Sequence, residues 1–182
     1  MDELIDILDS DGNATDKTAM KSEAHRKGLF HPTVHIWLYT RTGQILIQKR
    51  SKNKAIFPLL WDVSVAGHIG AGENTEVSAV REIQEEIGLT IQTEELEKIG
   101  VFKSVHRHSE NLIDCEFLHT FLCELKVPLH ELKKQESEVD DLALVSLIQF
   151  SQETWGLANP QKYVPHSTEY YKTIIKEIKK RL

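Results

Sequence analysis

Residues 67–89 read GHIGAGENTEVSAVREIQEEIGL, a glycine-spaced loop followed by a run with no proline and no further glycine until its end. From Thr75 to Ile87 the aliphatic residues Val77, Val80, Ile83 and Ile87 recur at helical spacing, and Gly88 stands where a left-handed residue closes a helix. At about 100° per residue, Glu82, Glu85 and Glu86 fall away from that stripe at i, i+3 and i+4. Like charges so placed destabilise a helix by a few tenths of a kcal/mol per pair. One reading is a solvated acidic face, which is common on surface helices. The other is a cation site, because carboxylate oxygens are the hard ligands that Mg²⁺ and Mn²⁺ take alongside water and phosphate oxygens. The loop in front favours the second: Gly67, Gly70 and Gly72 let the backbone approach a ligand closely between a strand and a helix. Their GxxGxG spacing, with no Lys-Ser or Lys-Thr after it, matches neither the dinucleotide nor the P-loop fingerprint.

Working outward, Trp61 to Ala66 has strand character, and Thr33 to Thr40 with Gln44 to Arg50 flank Arg41-Thr42-Gly43 as a hairpin. Leu4 to Leu8 reads as a strand ending at Asp11-Gly12, and Lys17 to Arg26 as a short helix closed by Gly28. Beyond the glutamate helix, Leu112 to Leu125 alternates, with Ile113, Cys115, Phe117, Phe121 and Cys123 on a core face and Asp114, Glu116, Thr120 and Glu124 on a polar one. Leu142 to Leu147 reads as a last short strand after the solvated charged run Lys133 to Asp141. Pro165 and Ser167 open a C-terminal helix whose Tyr171, Ile174, Ile175, Ile178 and Leu182 form a stripe that docks on the core. Strands and helices are interleaved without an internal repeat, so the expected class is α/β, a sheet flanked by helices.

A chain of 182 residues can bury one sizeable core. The expectation is a single domain over 1–182, with an N-terminal strand and helix extension over 1–30 and a docking helix from about 166 to 182. A net charge of -6 argues against a general nucleic-acid or anionic-membrane partner and for a small molecule. Cys115 and Cys123 share one strand face and read as core thiols of a reducing compartment. Met1 is followed by Asp2 and Glu3 rather than a basic, then apolar, leader, and no apolar run nears the roughly 20 residues of a membrane span, so the expected location is the cytoplasm. Asp9, Asp11 and Asn13 imitate the start of an EF-hand loop, but Ala14 and Met20 stand where its glycine and bidentate glutamate belong, and no calcium site is expected.

Taken together, Gly67, Glu73, Arg81, Glu82, Ile83, Glu85, Glu86, Gly88 and Leu89 resemble the Nudix box, G-x5-E-x7-R-E-U-x-E-E-x-G-U with U aliphatic, at every specified position. The resemblance implies the Nudix fold, a mixed β-sheet between helices, and hydrolysis of a diphosphate that joins a nucleoside or similar group to another moiety. It implies Mg²⁺ or Mn²⁺ as cofactor, with Glu85 and Glu86 as metal ligands joined by Glu82 and the carbonyl of Gly67. Glu82 is then also the leading candidate for the base, and Arg81 pairs with Glu73 to orient the loop against the helix.

Roughly residues 4 to 150, including HRKGLFHPTVHIWLYTRTGQILIQKRSKNKAIFPLLWDVSVAGH, resemble the isopentenyl-diphosphate isomerase branch of the same superfamily. That resemblance implies that Arg50 and Lys54 hold a substrate diphosphate and that His25, His31, His68 and Glu116 form a second metal site. Imidazole with a carboxylate suits Mn²⁺, Zn²⁺ or Fe²⁺. The isomerases carry a catalytic cysteine immediately before the Gly-His of the loop, where this chain has Ala66. Alanine cannot move a proton. Isomerase boxes also tend to be degraded, whereas this one is intact. The resulting expectation is an isomerase-like hydrolase acting on a small-molecule diphosphate, with an isopentenyl-diphosphate delta-isomerase and a non-catalytic nucleotide-sensing module as the alternatives. His106, His108, His119, His130 and His166 receive no role.

Overall fold

The computed structural model describes residues 2–155 and 162–182. In chain order, β1 (Leu4–Leu8) and β2 (Ala14–Met20) form an antiparallel ribbon, followed by α1 (Lys21–Lys27) and β3 (His31–Tyr39). β4 (Gln44–Arg50), the two-residue β5 (Trp61–Asp62) and β6 (Val65–His68) lead into α2 (Thr75–Ile87). β7 (Glu97–Ser109), β8 (Leu112–Glu124), β9 (Val139–Ser146), α3 (Leu147–Thr154) and α4 (Thr168–Lys179) complete it.

β3 organises the main sheet, and all nine of its residues are buried. It runs parallel to β8 from His31↔Glu116 to Tyr39↔Glu124, and antiparallel to β6 on its other edge from Thr33↔His68 to Ile36↔Val65. β7 borders β8, and β9 borders β4, both antiparallel. One face packs on α2 through Ala79, Ile83 and Ile87, against Val34, Ile36, Leu38, Leu46 and Phe121. The other packs on α3 and α4, where Trp37, Leu122, Phe150, Tyr170, Ile174 and Ile178 meet. This is the mixed sheet between helices, α/β, that the Nudix fold requires. Each fully buried isoleucine or phenylalanine here contributes about 1.5–3 kcal/mol, so the two faces together hold the sheet.

Several local expectations are corrected. The helix expected from Lys17 starts at Lys21; Lys17 to Met20 pair with Leu4 to Ile7 of β1 instead, a ladder that outweighs weak local helix preference. Gly28 does close α1, at φ 63°. The hairpin expected of β3 and β4 pairs in register only at Tyr39↔Ile45, while β4 pairs with β9 along its whole length, from Gln44↔Ser146 to Arg50↔Val139. The strand expected over Trp61 to Ala66 is broken at Val63 and Ser64, where the Ser64 hydroxyl accepts from the Leu38 amide at 2.8 Å and donates to the Leu46 carbonyl.

β8 has no solvated face, because the sheet is covered on both sides and Leu118, Thr120 and Leu122 are as buried as Phe121 and Cys123. On α2, Val77 is half exposed, and the buried side comprises Ala79, Ile83 and Ile87 together with Glu82 and Glu86. The run Lys133 to Asp141 is only partly solvated: the Lys133 and Gln135 amides cap the last carbonyls of α2, and Val139 is buried in β9. Leu182 is exposed, so the α4 stripe ends at Ile178. Strand β7 and helix α3 had no counterpart in the sequence reading. Cys115 and Cys123 are buried free thiols. Among the described residues no helix is long and apolar enough to cross a membrane.

Candidate active site

The glycine loop is held from outside and from within. β1 pins it: the Ala71 amide donates to the Leu4 carbonyl at 2.9 Å and the Gly72 amide to Asp6 Oδ2 at 2.9 Å. At the helix start, Asn74 Oδ1 accepts from the Glu76 and Val77 amides, the cap that α2 needs. Arg81 then ties loop to helix. Its Nε and Nη2 grip the two Glu73 oxygens at 3.2 and 3.1 Å, Nη2 also reaches the His68 carbonyl, and Nη1 donates to Glu82 Oε1 at 2.7 Å and Glu85 Oε2 at 3.3 Å.

The three glutamates occupy unlike surroundings. Glu85 is half exposed, whereas Glu82 and Glu86 are buried. Glu82 lies directly against Gly67, where any side chain would overlap its carboxylate. Glu86 Oε2 accepts from Gln48 Nε2 at 2.9 Å and from the Ala66 amide at 3.3 Å. Burial, opposed by Arg81, pushes the Glu82 carboxyl up to about 7, and burial pushes Glu86 up to about 8. Two desolvated carboxylates with oxygen-only donor atoms, beside a backbone that cannot carry a side chain, fit a hard divalent cation, whose charge restores their ionised forms.

A second cluster lies across the pocket. α1 supplies His25, the start of β3 supplies His31, the end of β6 supplies His68 and β8 supplies Glu116; one donor atom from each lies within 4.8 Å of all the others. His31 and His68 stack with ring centres 5.2 Å apart, and Nε2 of His68 faces Nε2 of His25 at 3.3 Å. His31 Nδ1 lies 2.9 Å from the Leu29 carbonyl, so it carries the proton and leaves the Nε2 lone pair free; that atom is buried with no hydrogen-bond partner. Burial pushes the His31 imidazole down to about 4, which keeps it neutral. A buried, unpartnered imidazole lone pair beside two more imidazoles and a carboxylate is a donor set that fits a transition metal.

Asp114 was not anticipated here. Its buried Oδ1 is unpartnered and lies 3.8 Å from His25 Nε2, while Oδ2 is 3.3 Å from His108 Nε2. The signal was available, since Asp114 stands two residues before Glu116 on one strand and so shares its face.

Residues of both clusters line a cavity of about 430 Å³, together with Arg50, Asp62 and His166. Arg50 Nη1 donates to Asp62 Oδ2 at 2.9 Å and Nε to the Ile56 carbonyl at 3.1 Å, while His166 Nε2 meets Asp62 Oδ1 at 2.9 Å. The Arg50 fork is thus partly committed to Asp62. Lys54 also lines the cavity and pairs with Glu138. His106 and His166, which received no role, also line the cavity, and the Ala66 methyl is part of its wall. Nothing in the local sequence could pair His166 with Asp62, 104 residues earlier in the chain.

The NUDIX domain model matches residues 29–166. The chain is 35% identical over 148 residues to the protein named Nudix hydrolase 3 of Arabidopsis thaliana, a match that covers 79% of this chain but only 19% of that longer protein. It is 31% identical over 180 residues to an isopentenyl-diphosphate delta-isomerase of Serratia proteamaculans, covering 98% and 92% of the two chains. Among solved structures, one from Deinococcus radiodurans superposes with a TM-score of 0.66 at 17% identity over 96% of this chain and 98% of that one, a likeness of fold. The matched region encloses the whole glycine loop, the glutamate helix and the main sheet with His31, His68 and Glu116, and on that ground the chain belongs to the Nudix family.

Proposed function

We propose that this protein hydrolyses the diphosphate linkage of a small molecule, with Mg²⁺ or Mn²⁺ held at the glutamate face. The observation that carries this reading is the buried pair Glu82 and Glu86 on one side of α2, with Glu82 seated on Gly67. Glu85, Glu86, Glu82 and the Gly67 carbonyl hold the cation. When bound, it offsets the charge of the diphosphate oxygens and makes a neighbouring water more acidic. Glu82, ionised beside the cation and oriented by Arg81, takes up a proton from the attacking water. Arg81 positions Glu82 and Glu85 through Nη1. At the opposite wall, Arg50 and Lys54 hold the diphosphate so that water meets phosphorus in line with the leaving oxygen. Most of the rate enhancement then comes from positioning and charge.

His25, His31, His68 and Glu116 form a second cation site in this reading, with Asp114 beside it. The Ala66 methyl favours hydrolysis over isomerisation despite the likeness to an isomerase, because it offers no proton. The partner is a small diphosphate rather than nucleic acid or a membrane, the whole chain acts as one domain, and the buried free thiols suit a reducing cytoplasm. Purified protein incubated with nucleoside diphosphate sugars, dinucleotides, nucleoside triphosphates and isoprenyl diphosphates should hydrolyse at least one of these compounds with Mg²⁺ or Mn²⁺ and none with a chelator. Complete inactivity across such a panel with either metal would contradict the reading.

A further inference from the structure

The face of β3 that bears His31 continues with Thr33 and His35, because alternate strand residues point the same way at roughly 7 Å intervals. Their cross-strand neighbours on β6 are His68 for Thr33 and Ala66 for His35. Both residues line the cavity, and both are nearly fully buried. Thr33 Oγ1 has no hydrogen-bond partner among the described residues. His35 Nδ1 is 2.8 Å from the Tyr170 hydroxyl of α4, while Nε2 has no partner among the described residues.

A third residue bears on the direction of that hydrogen bond. The Trp37 indole nitrogen lies 2.9 Å from the same Tyr170 oxygen, and an indole N–H can only donate. The Tyr170 oxygen therefore accepts from Trp37 and has its own proton to give; its two other neighbours are the Thr120 hydroxyl and His35 Nδ1, and we assign the proton to His35 Nδ1, 2.8 Å away. With that assignment the His35 proton sits on Nε2. Burial, reinforced by the neighbouring His166, pushes the His35 imidazole down to about 3, so the ring stays neutral and this single N–H is its donor.

We propose that His35 and Thr33 are specificity-determining residues: with its proton placed by Tyr170, His35 donates from Nε2 to an oxygen of the group that the diphosphate carries, and the Thr33 hydroxyl is the second contact. The inference rests on the diphosphate-hydrolase reading and narrows its substrate to one with a hydroxyl-bearing group, such as a sugar or ribose, beyond the diphosphate. A hydroxyl can accept from His35 and exchange a hydrogen bond with Thr33. A hydrocarbon chain would leave both buried groups unpaired, which is the costly outcome.

Two measurements test it. Nitrogen-15 NMR of the imidazoles, with His35→Gln to assign the signal, should show the Nε2–H tautomer for His35 at neutral pH and the loss of that fixed tautomer in Tyr170→Phe. Calorimetry with Ca²⁺ in place of Mg²⁺ should show the wild type binding uridine diphosphate glucose more tightly than isopentenyl diphosphate. That preference should fall roughly tenfold in His35→Leu and recover in part in His35→Gln, whose amide N–H extends towards the Nε2 position. Thr33→Val removes an unpartnered hydroxyl and so keeps the fold; it should lower the preference in the same direction. An Nδ1–H tautomer, a wild type that binds neither probe or prefers isopentenyl diphosphate, or a preference unchanged by His35→Leu and Thr33→Val would overturn the proposal. Binding with the expected preference but without metal-dependent hydrolysis would overturn the hydrolase reading instead.

Discussion

A Cβ built on Gly67 would lie 2.0 Å from the Glu82 carboxyl carbon and 2.3 Å from its Oε1. The end of β6 and the middle of α2 therefore meet with no room for a methyl group, and the buried position of Glu82 depends on that contact. Gly67→Ala must displace the glutamate or shift the loop, at about 1–3 kcal/mol for overpacking. Thermal melting should show a folded but less stable protein, and an assay on the best substrate should show turnover lowered by orders of magnitude. Full activity in Gly67→Ala would mean that Glu82 does not act from where it sits.

Asp62 supplies a pH-dependent part of the stability. Burial works against its charge, but the hydrogen bond and charge of His166 and the charge of Arg50 outweigh this and hold the carboxyl well below its ordinary value of 3.8. A depressed carboxylate contributes stability that is fully present above the unfolded value and is lost as pH falls through the folded one. Asp62→Asn should therefore cost about 3–5 kcal/mol at neutral pH, since it leaves Arg50 without its buried partner. In denaturant titrations the gap to wild type should narrow below pH 3.8. A gap that is constant down to the acid transition would remove the charge from the explanation.

The glutamate segment and the inner pocket differ in how far they could be read in advance. Gly67 to Leu89 places the loop, the helix and its cap within one contiguous stretch, so the spacing of Glu82, Glu85 and Glu86 already determines that they adjoin. What it could not supply was burial: Val77 lies outside and Glu86 inside because the Lys133 to Val139 segment and Gln48 cover that side of α2. β7 was invisible because it lies at a sheet edge with alternating exposure and carries charged residues on its outer face. The Asp62–His166 and His35–Tyr170 contacts join residues 104 and 135 positions apart, and such pairings arise only once α4 docks.

Arg50 has two obligations, and its variants should separate them. Arg50→Ala removes the cation from Asp62 and the fork from the diphosphate, so both the melting temperature and the apparent substrate affinity should fall. Arg50→Lys restores a charge but not the planar fork. It should recover more of the stability than of the KM. Equal recovery of both would assign Arg50 to structure alone.

Ala66 predicts the absence of a reaction. Isomerisation adds a proton to one alkene carbon and removes another from a neighbour, which requires an acid and a base on opposite sides of a dry pocket. The methyl on this wall supplies neither. Isopentenyl diphosphate incubated with the protein and metal in heavy water should take up no deuterium. Exchange that survives Glu82→Gln would show an isomerase at work.

The central claim is that the buried glutamates hold the catalytic cation, and Glu86→Gln tests it most directly. Glu86 is buried and pushed up to about 8, so a neutral amide of the same shape can keep its hydrogen bonds and the metal-free melting temperature should hold or rise. Metal-dependent hydrolysis of the best diphosphate substrate should fall by orders of magnitude in the same preparation. A folded Glu86→Gln protein that turns over at the wild-type rate with saturating Mg²⁺ or Mn²⁺ would contradict the account.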